Sequence, residues 1–142
     1  MARRFKIFSR CDGSVAVEFA IIAPVIFLLI LGAMDLGHSY YIRYVASNAS
    51  REGARYASKY RLTVGDPTSS DISNYVKLPA GINYDSFGLD TLVVSGGYTG
   101  ASPNKIVTVT VSANKHWWIL GSLPGFTNPK TLTAATAMSV ER

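Results

Sequence analysis

The stretch that decides the fold is Gly13-Ser14-Val15-Ala16-Val17-Glu18, followed by the run Phe19–Met34, FAIIAPVIFLLILGAM. The sixteen residues of that run carry no charge and no strongly polar side chain; counted from Val15 the stretch has twenty, interrupted only by Glu18. A helix needs about 20 mostly apolar residues to cross a bilayer core of roughly 30 Å. The run is apolar on all sides, which suits lipid better than a single buried face. Pro24 and Gly32 lie inside it, and both are tolerated in membrane helices, where neighbouring groups satisfy a freed carbonyl. A soluble domain would have to wrap such a helix completely, and a chain of 142 residues has little material for that.

The flanks give an orientation. Arg3, Arg4, Lys6 and Arg10 precede the span, whereas Arg43 is the one basic residue between Asp35 and Ala49. The positive-inside rule then places the N-terminus in the cytoplasm and residues 35–142 outside. The same tract explains the net charge. The chain carries 14 Lys+Arg and 9 Asp+Glu, a formal +5, but residues 1–13 contribute +3 and the remaining residues only +2 (10 basic, 8 acidic). A basic domain face for nucleic acid is therefore not indicated. Two rival readings of the start remain open here. One is a plain single-pass anchor, not processed, carrying a periplasmic binding domain. The other is a secretory signal peptide, with Leu31-Gly32-Ala33 as a loose cleavage site. Cys11, the single cysteine, has no intrachain disulfide partner and reads as incidental.

A carboxylate inside a membrane segment is costly and calls for a partner, or for a place at a helix start where it snorkels to the headgroups. Glu18 stands five residues after Gly13 and directly before the apolar run. This arrangement resembles the processing site of type IV prepilins and pseudopilins. The resemblance implies cleavage by a prepilin peptidase between Gly13 and Ser14, with Glu18 as mature position five. Glycine lets a backbone approach closely, and cleavage creates an amine at Ser14 that Glu18 neutralises on its own or a neighbouring subunit. Ser14 departs from the Phe that major pilins commonly present.

Ala16-Val17-Glu18-Phe19-Ala20, Pro24, Gly32, Asp35, Gly37, Tyr40 and Tyr41 resemble the TadE-like pseudopilins of tight-adherence (Flp) pilus systems, and Arg51-Glu52-Gly53-Ala54-Arg55-Tyr56-Ala57 resembles that family's second hallmark. The resemblance covers about residues 10–60, and TadF- and TadG-type proteins share this start. It implies a minor pilin of the bacterial inner membrane that takes part in pilus assembly and is a peptidase substrate rather than an enzyme. Its implied partners are the prepilin peptidase, other pilin or pseudopilin subunits, inner-membrane assembly proteins and the lipid bilayer. No nucleic acid is implied.

Asp35 to Tyr60 contains no proline and reads as a continuation of the helix. From Ser14 to Tyr60 it has 47 residues and reaches roughly 70 Å. Tyr41, Tyr44, Val45 and Asn48 recur at helical spacing, followed by Glu52 and Arg55. Ala46, Ala49, Ser50, Gly53, Ala54 and Ala57 permit close approach by a globular head or a second helix. Glu52 and Arg55 are i,i+3 neighbours, a pairing worth about 0.2–0.5 kcal/mol when exposed. Helix stability alone therefore does not account for the motif. Arg51, Glu52, Gly53, Arg55 and Tyr56 are candidates for contact between helix and head or with a partner.

Beyond a break at Gly65-Asp66-Pro67 the spacing predicts a short helix over 71–78, capped by Ser70 or Asp71, with Ile72, Tyr75 and Val76 on one face. Pro79 and Gly81 end it. Strands are expected at Thr91–Ser95, Lys105–Ala113 and Thr131–Val140, with Gly96 to Asn104 as a turn-rich loop. His116-Trp117-Trp118-Ile119-Leu120 forms a hydrophobic loop. Trp117 and Trp118 fit the outer membrane interface, the core of the head, or a partner. The expected fold class is α+β and pilin-like: a long N-terminal transmembrane helix, then a small head of about three antiparallel strands with a short helix. The expected divisions are a leader over 1–13, a long helix over 14–60 with its transmembrane part at 15–34, and an extracytoplasmic head over 61–142. His38 and His116 belong to no metal-ligand spacing, and no phosphate loop or nucleophile motif occurs, so no catalytic residue, metal or cofactor is expected.

Overall fold

The computed structural model describes residues 11–59, 65–77, 92–101 and 104–140, with side chains from Gly13 onward. The basic leader and the predicted helix stop at Pro79 and Gly81 lie outside these residues. Helix α1 runs unbroken over Cys11–Lys59, continuing through Pro24 despite the N–H that proline lacks. Its first half is exposed on every side, with Phe19, Ile21, Phe27 and Leu29 all turned outward. Such a helix is long and apolar enough to cross a membrane.

The second half is buried on one face. Ile42, Val45, Ala46, Ala49, Ala54 and Ala57 lie against a three-stranded sheet. The small residues let helix and sheet approach closely, so this face packs on the chain's own head. Tyr41 and Tyr44 turn outward instead; of the predicted Tyr41, Tyr44, Val45 and Asn48 stripe, only Val45 is fully buried. The seam follows the alanines because a sheet packs closest where helix side chains are smallest.

The sheet is an antiparallel meander in the order β1 (Leu92–Thr99), β2 (Ile106–Lys115), β3 (Lys130–Ser139). Val94 pairs with Val111, and Val111 with Ala134. Along β2 the inward positions are Val107, Val109, Val111, Ala113 and Lys115, all buried. On β3, Leu132, Ala134 and Met138 pack against the core, and Thr136 meets Ser50 of α1 at 2.8 Å between hydroxyls.

Helix α2 spans Ser69–Lys77 and buries Ile72 and Val76. Its cap is Thr68, not Ser70 or Asp71. The Thr68 hydroxyl accepts the Asp71 N–H, and the Asp71 carboxylate accepts the Thr68 N–H at 2.8 Å, a reciprocal capping box. Strand β1 extends to Thr99, through Gly96 and Gly97, where the turn-rich composition predicts a loop. The reason is packing: a Cβ on Gly96 would stand 2.5 Å from Ile72 Cδ1, so glycine here lets α2 lie close on the strand. The turn comes instead at Gly100, with φ +83°.

Candidate functional site

A buried polar centre forms where the head meets α1. The inward alternation of β2 carries past Ala113 and places Lys115 on the core face, where it is 1% exposed. Its Nζ donates to Asp35 Oδ1 at 3.1 Å and lies 3.0 Å from His38 Nδ1. Asp35 is fully buried. Its carboxylate also accepts the backbone N–H groups of Trp118 (3.1 Å), Ile119 (2.9 Å) and Leu120 (3.2 Å). Burial alone pushes the Asp35 carboxyl up. The N–H groups of Ile119, Trp118 and Leu120, with Lys115, outweigh it and hold the group well below the usual carboxylate range.

Aromatic rings close the centre. Lys115 Nζ lies 4.8 Å from the Trp118 ring centroid and 5.4 Å from that of Trp117. His38 stacks on Trp118 and on Tyr41. The loop leading from Lys115 is thereby locked to the helix one turn past the apolar run. Asn128 clips it from the other side, accepting the Trp117 N–H and donating to its carbonyl. Trp117 is buried edge-on to Phe126, whereas Trp118 is 63% exposed. The two tryptophans therefore divide between core and surface. Leu120 packs on Gly32, inside the apolar run itself.

The second motif divides in the same way. A Cβ on Gly53 would stand 3.1 Å from Val109, 3.2 Å from Val76 and 3.4 Å from Ile72, so α1, α2 and β2 converge there. Tyr56 stacks on Tyr75 at 4.1 Å, and Tyr98 donates to the Ala57 carbonyl. Arg51 is exposed, and Arg55 lies outward with its Nε 3.4 Å from Glu52. Gly13, Ser14 and Glu18 sit exposed in the first turns of α1, apart from both other clusters. Among the described residues no three His, Cys, Asp or Glu side chains gather to hold a metal ion.

The sequence marks Asp35 only through the family resemblance and does not mark Lys115, because its alternation predicts a strand ending at Ala113, whereas β2 runs on to Lys115. Lysine in phase with four inward residues was the signal, since such a group demands a buried acceptor.

A long apolar N-terminal helix carrying a small antiparallel α+β head defines a pilin-like protein. Residues 13–55 match the family model for TadE-like protein, and over that segment the chain is similar to this family. No curated protein and no solved structure matches the chain.

Proposed function

We propose that this chain is a minor pilin subunit, cut by a prepilin peptidase between Gly13 and Ser14 and then used in assembling a tight-adherence pilus. Before cutting, residues 15–34 hold it in the inner membrane with the leader cytoplasmic and the head periplasmic. The observation that carries the reading is the TadE-like match over residues 13–55, which begins at Gly13 and includes Glu18 and Arg51 to Arg55. Exposure of Gly13 and Ser14, well away from the head, supports access by a peptidase. Glu18 then neutralises the new Ser14 amine, its own or a neighbour's. Arg51, Glu52 and Arg55 are left outward for other assembly components. Cleavage near Leu31-Gly32-Ala33 fits less well, because Gly32 lies against Leu120 of the head within one continuous helix.

N-terminal sequencing or intact mass of the membrane-associated protein tests the proposal. A start at Ser14 is expected. A start at Met1 or Ala2 identifies an unprocessed anchor, and a start near Met34 or Asp35 identifies ordinary secretion.

A further inference from the structure

Two grooves run end to end along one side of α1. The lower is lined by Leu28, Leu29, Gly32 and Leu36 of the helix with Leu120 and Leu123 of the loop. The upper begins at the same Leu36 and continues past Tyr40 to Arg43, with Trp117, Phe126 and Lys130 opposite. The lower groove is apolar, and the upper one ends in two exposed cations. No carboxylate lines either groove. Asp35, next to Leu36, is closed off by Lys115 and the loop N–H groups.

The dimensions identify an occupant. From Leu28 to Arg43 the helix rises about 22 Å. One bilayer leaflet with its headgroups is about 20–22 Å thick. The combined groove thus has the length of one phospholipid and the same order of polarity. The Cα–Cβ bond of Arg43 leans toward the helix N-terminus, which turns this long side chain back toward the apolar run. Trp117 forms part of the upper groove's wall, so its ring lies beside whatever occupies the groove. A second copy's helix fits less well, because the apolar run offers Arg43 and Lys130 no counter-charge except Glu18, at its far end.

We propose that this groove seats one anionic phospholipid of the outer leaflet, its phosphate on Arg43 and Lys130 and its chains against Leu28, Leu36, Leu120 and Leu123. The proposal rests on the reading of Val15–Met34 as a membrane span and is independent of cleavage at Gly13. The lipid surface then fixes the height of the head above the membrane.

The test uses the full chain in phosphatidylcholine vesicles containing phosphatidylglycerol. Trp118→Phe leaves Trp117 as the sole tryptophan. Brominated phosphatidylglycerol is compared with brominated phosphatidylcholine at equal mole fraction. We expect about two-fold stronger quenching by the anionic lipid, as for a ring in the groove wall beside a bound lipid. Arg43→Gln with Lys130→Gln removes that preference while circular dichroism stays unchanged. Equal quenching by both lipids in a chain that resists alkaline carbonate extraction overturns the proposal alone. Absent quenching with crosslinks between copies overturns it in favour of a second subunit. Release of the chain by carbonate overturns the span and the proposal together.

Discussion

Asp35 on α1 and Lys115 at the end of β2 are 80 residues apart in the chain and meet as a buried ion pair, Nζ 3.1 Å from Oδ1. The carboxylate does more than balance one charge: it also collects three backbone N–H groups from the loop after β2. It is the joint between helix and head.

Removing either partner leaves buried groups unpaired, but not equally. Asp35→Ala leaves Lys115 without its counter-charge and three N–H donors unpaired, and is expected to cost about 3–5 kcal/mol. Lys115→Met leaves the carboxylate with its N–H donors and costs less. The exchange Asp35→Lys with Lys115→Asp does not restore stability, because the loop N–H groups then face an ammonium. Urea unfolding in detergent micelles measures all three. Equal costs for the two single variants would contradict the asymmetry.

Acid sensitivity follows from the same carboxylate. Its proton affinity is lower in the native state than in the unfolded chain, where the ordinary value is 3.8. The unfolded state therefore binds more protons as pH falls, and stability drops with it. The contribution of Asp35 is complete above its unfolded value and is lost as pH falls below it toward the native value. Asp35→Asn should be less stable at neutral pH and show a flatter decline in acid. A parallel decline in both proteins would assign acid loss to other groups.

Gly53 is a contact point of three elements. Gly53→Val forces a branched side chain among Val109, Val76 and Ile72, and should cost about 1–3 kcal/mol by overpacking. Ile72→Ala in the same chain should return part of that loss. Thermal unfolding of the single and double variants reads the coupling.

The outward residues of the same motif should behave differently. Arg51→Ala and Arg55→Ala should leave stability within about 0.5 kcal/mol, as for exposed positions elsewhere. Tyr56→Ala removes a stacked ring and should lower the melting temperature. If Arg51, Glu52 and Arg55 contact assembly partners, Glu52→Lys reduces pilus assembly at normal protein level. Normal processing, level and assembly in that variant would end the proposed role.

Much of the architecture is local and was legible for that reason. Hydropathy over Phe19–Met34 reports its own burial preference, and alternation in Val107, Val109 and Val111 reports a strand with one covered face. The absence of proline from Asp35 to Tyr60 let one helix run on, as observed to Lys59. Misreadings arose where a neighbour decides. Gly96 and Gly97 carry turn chemistry, yet Gly96 stays in β1 because Ile72 needs its missing side chain. Tyr41 and Tyr44 make a helical stripe, yet the sheet chose the alanine face, where backbones come closest.

The long apolar helix, the strand pattern and the Gly13–Glu18 string can be read along the chain, because each depends on residues near in sequence. Packing of distant segments sets which helix face carries the head, buries Trp117 but not Trp118, and brings Asp35 and Lys115 together. A charge in a core is tolerated only beside its partner, and the fold alone brings residues so distant in sequence within 3.1 Å.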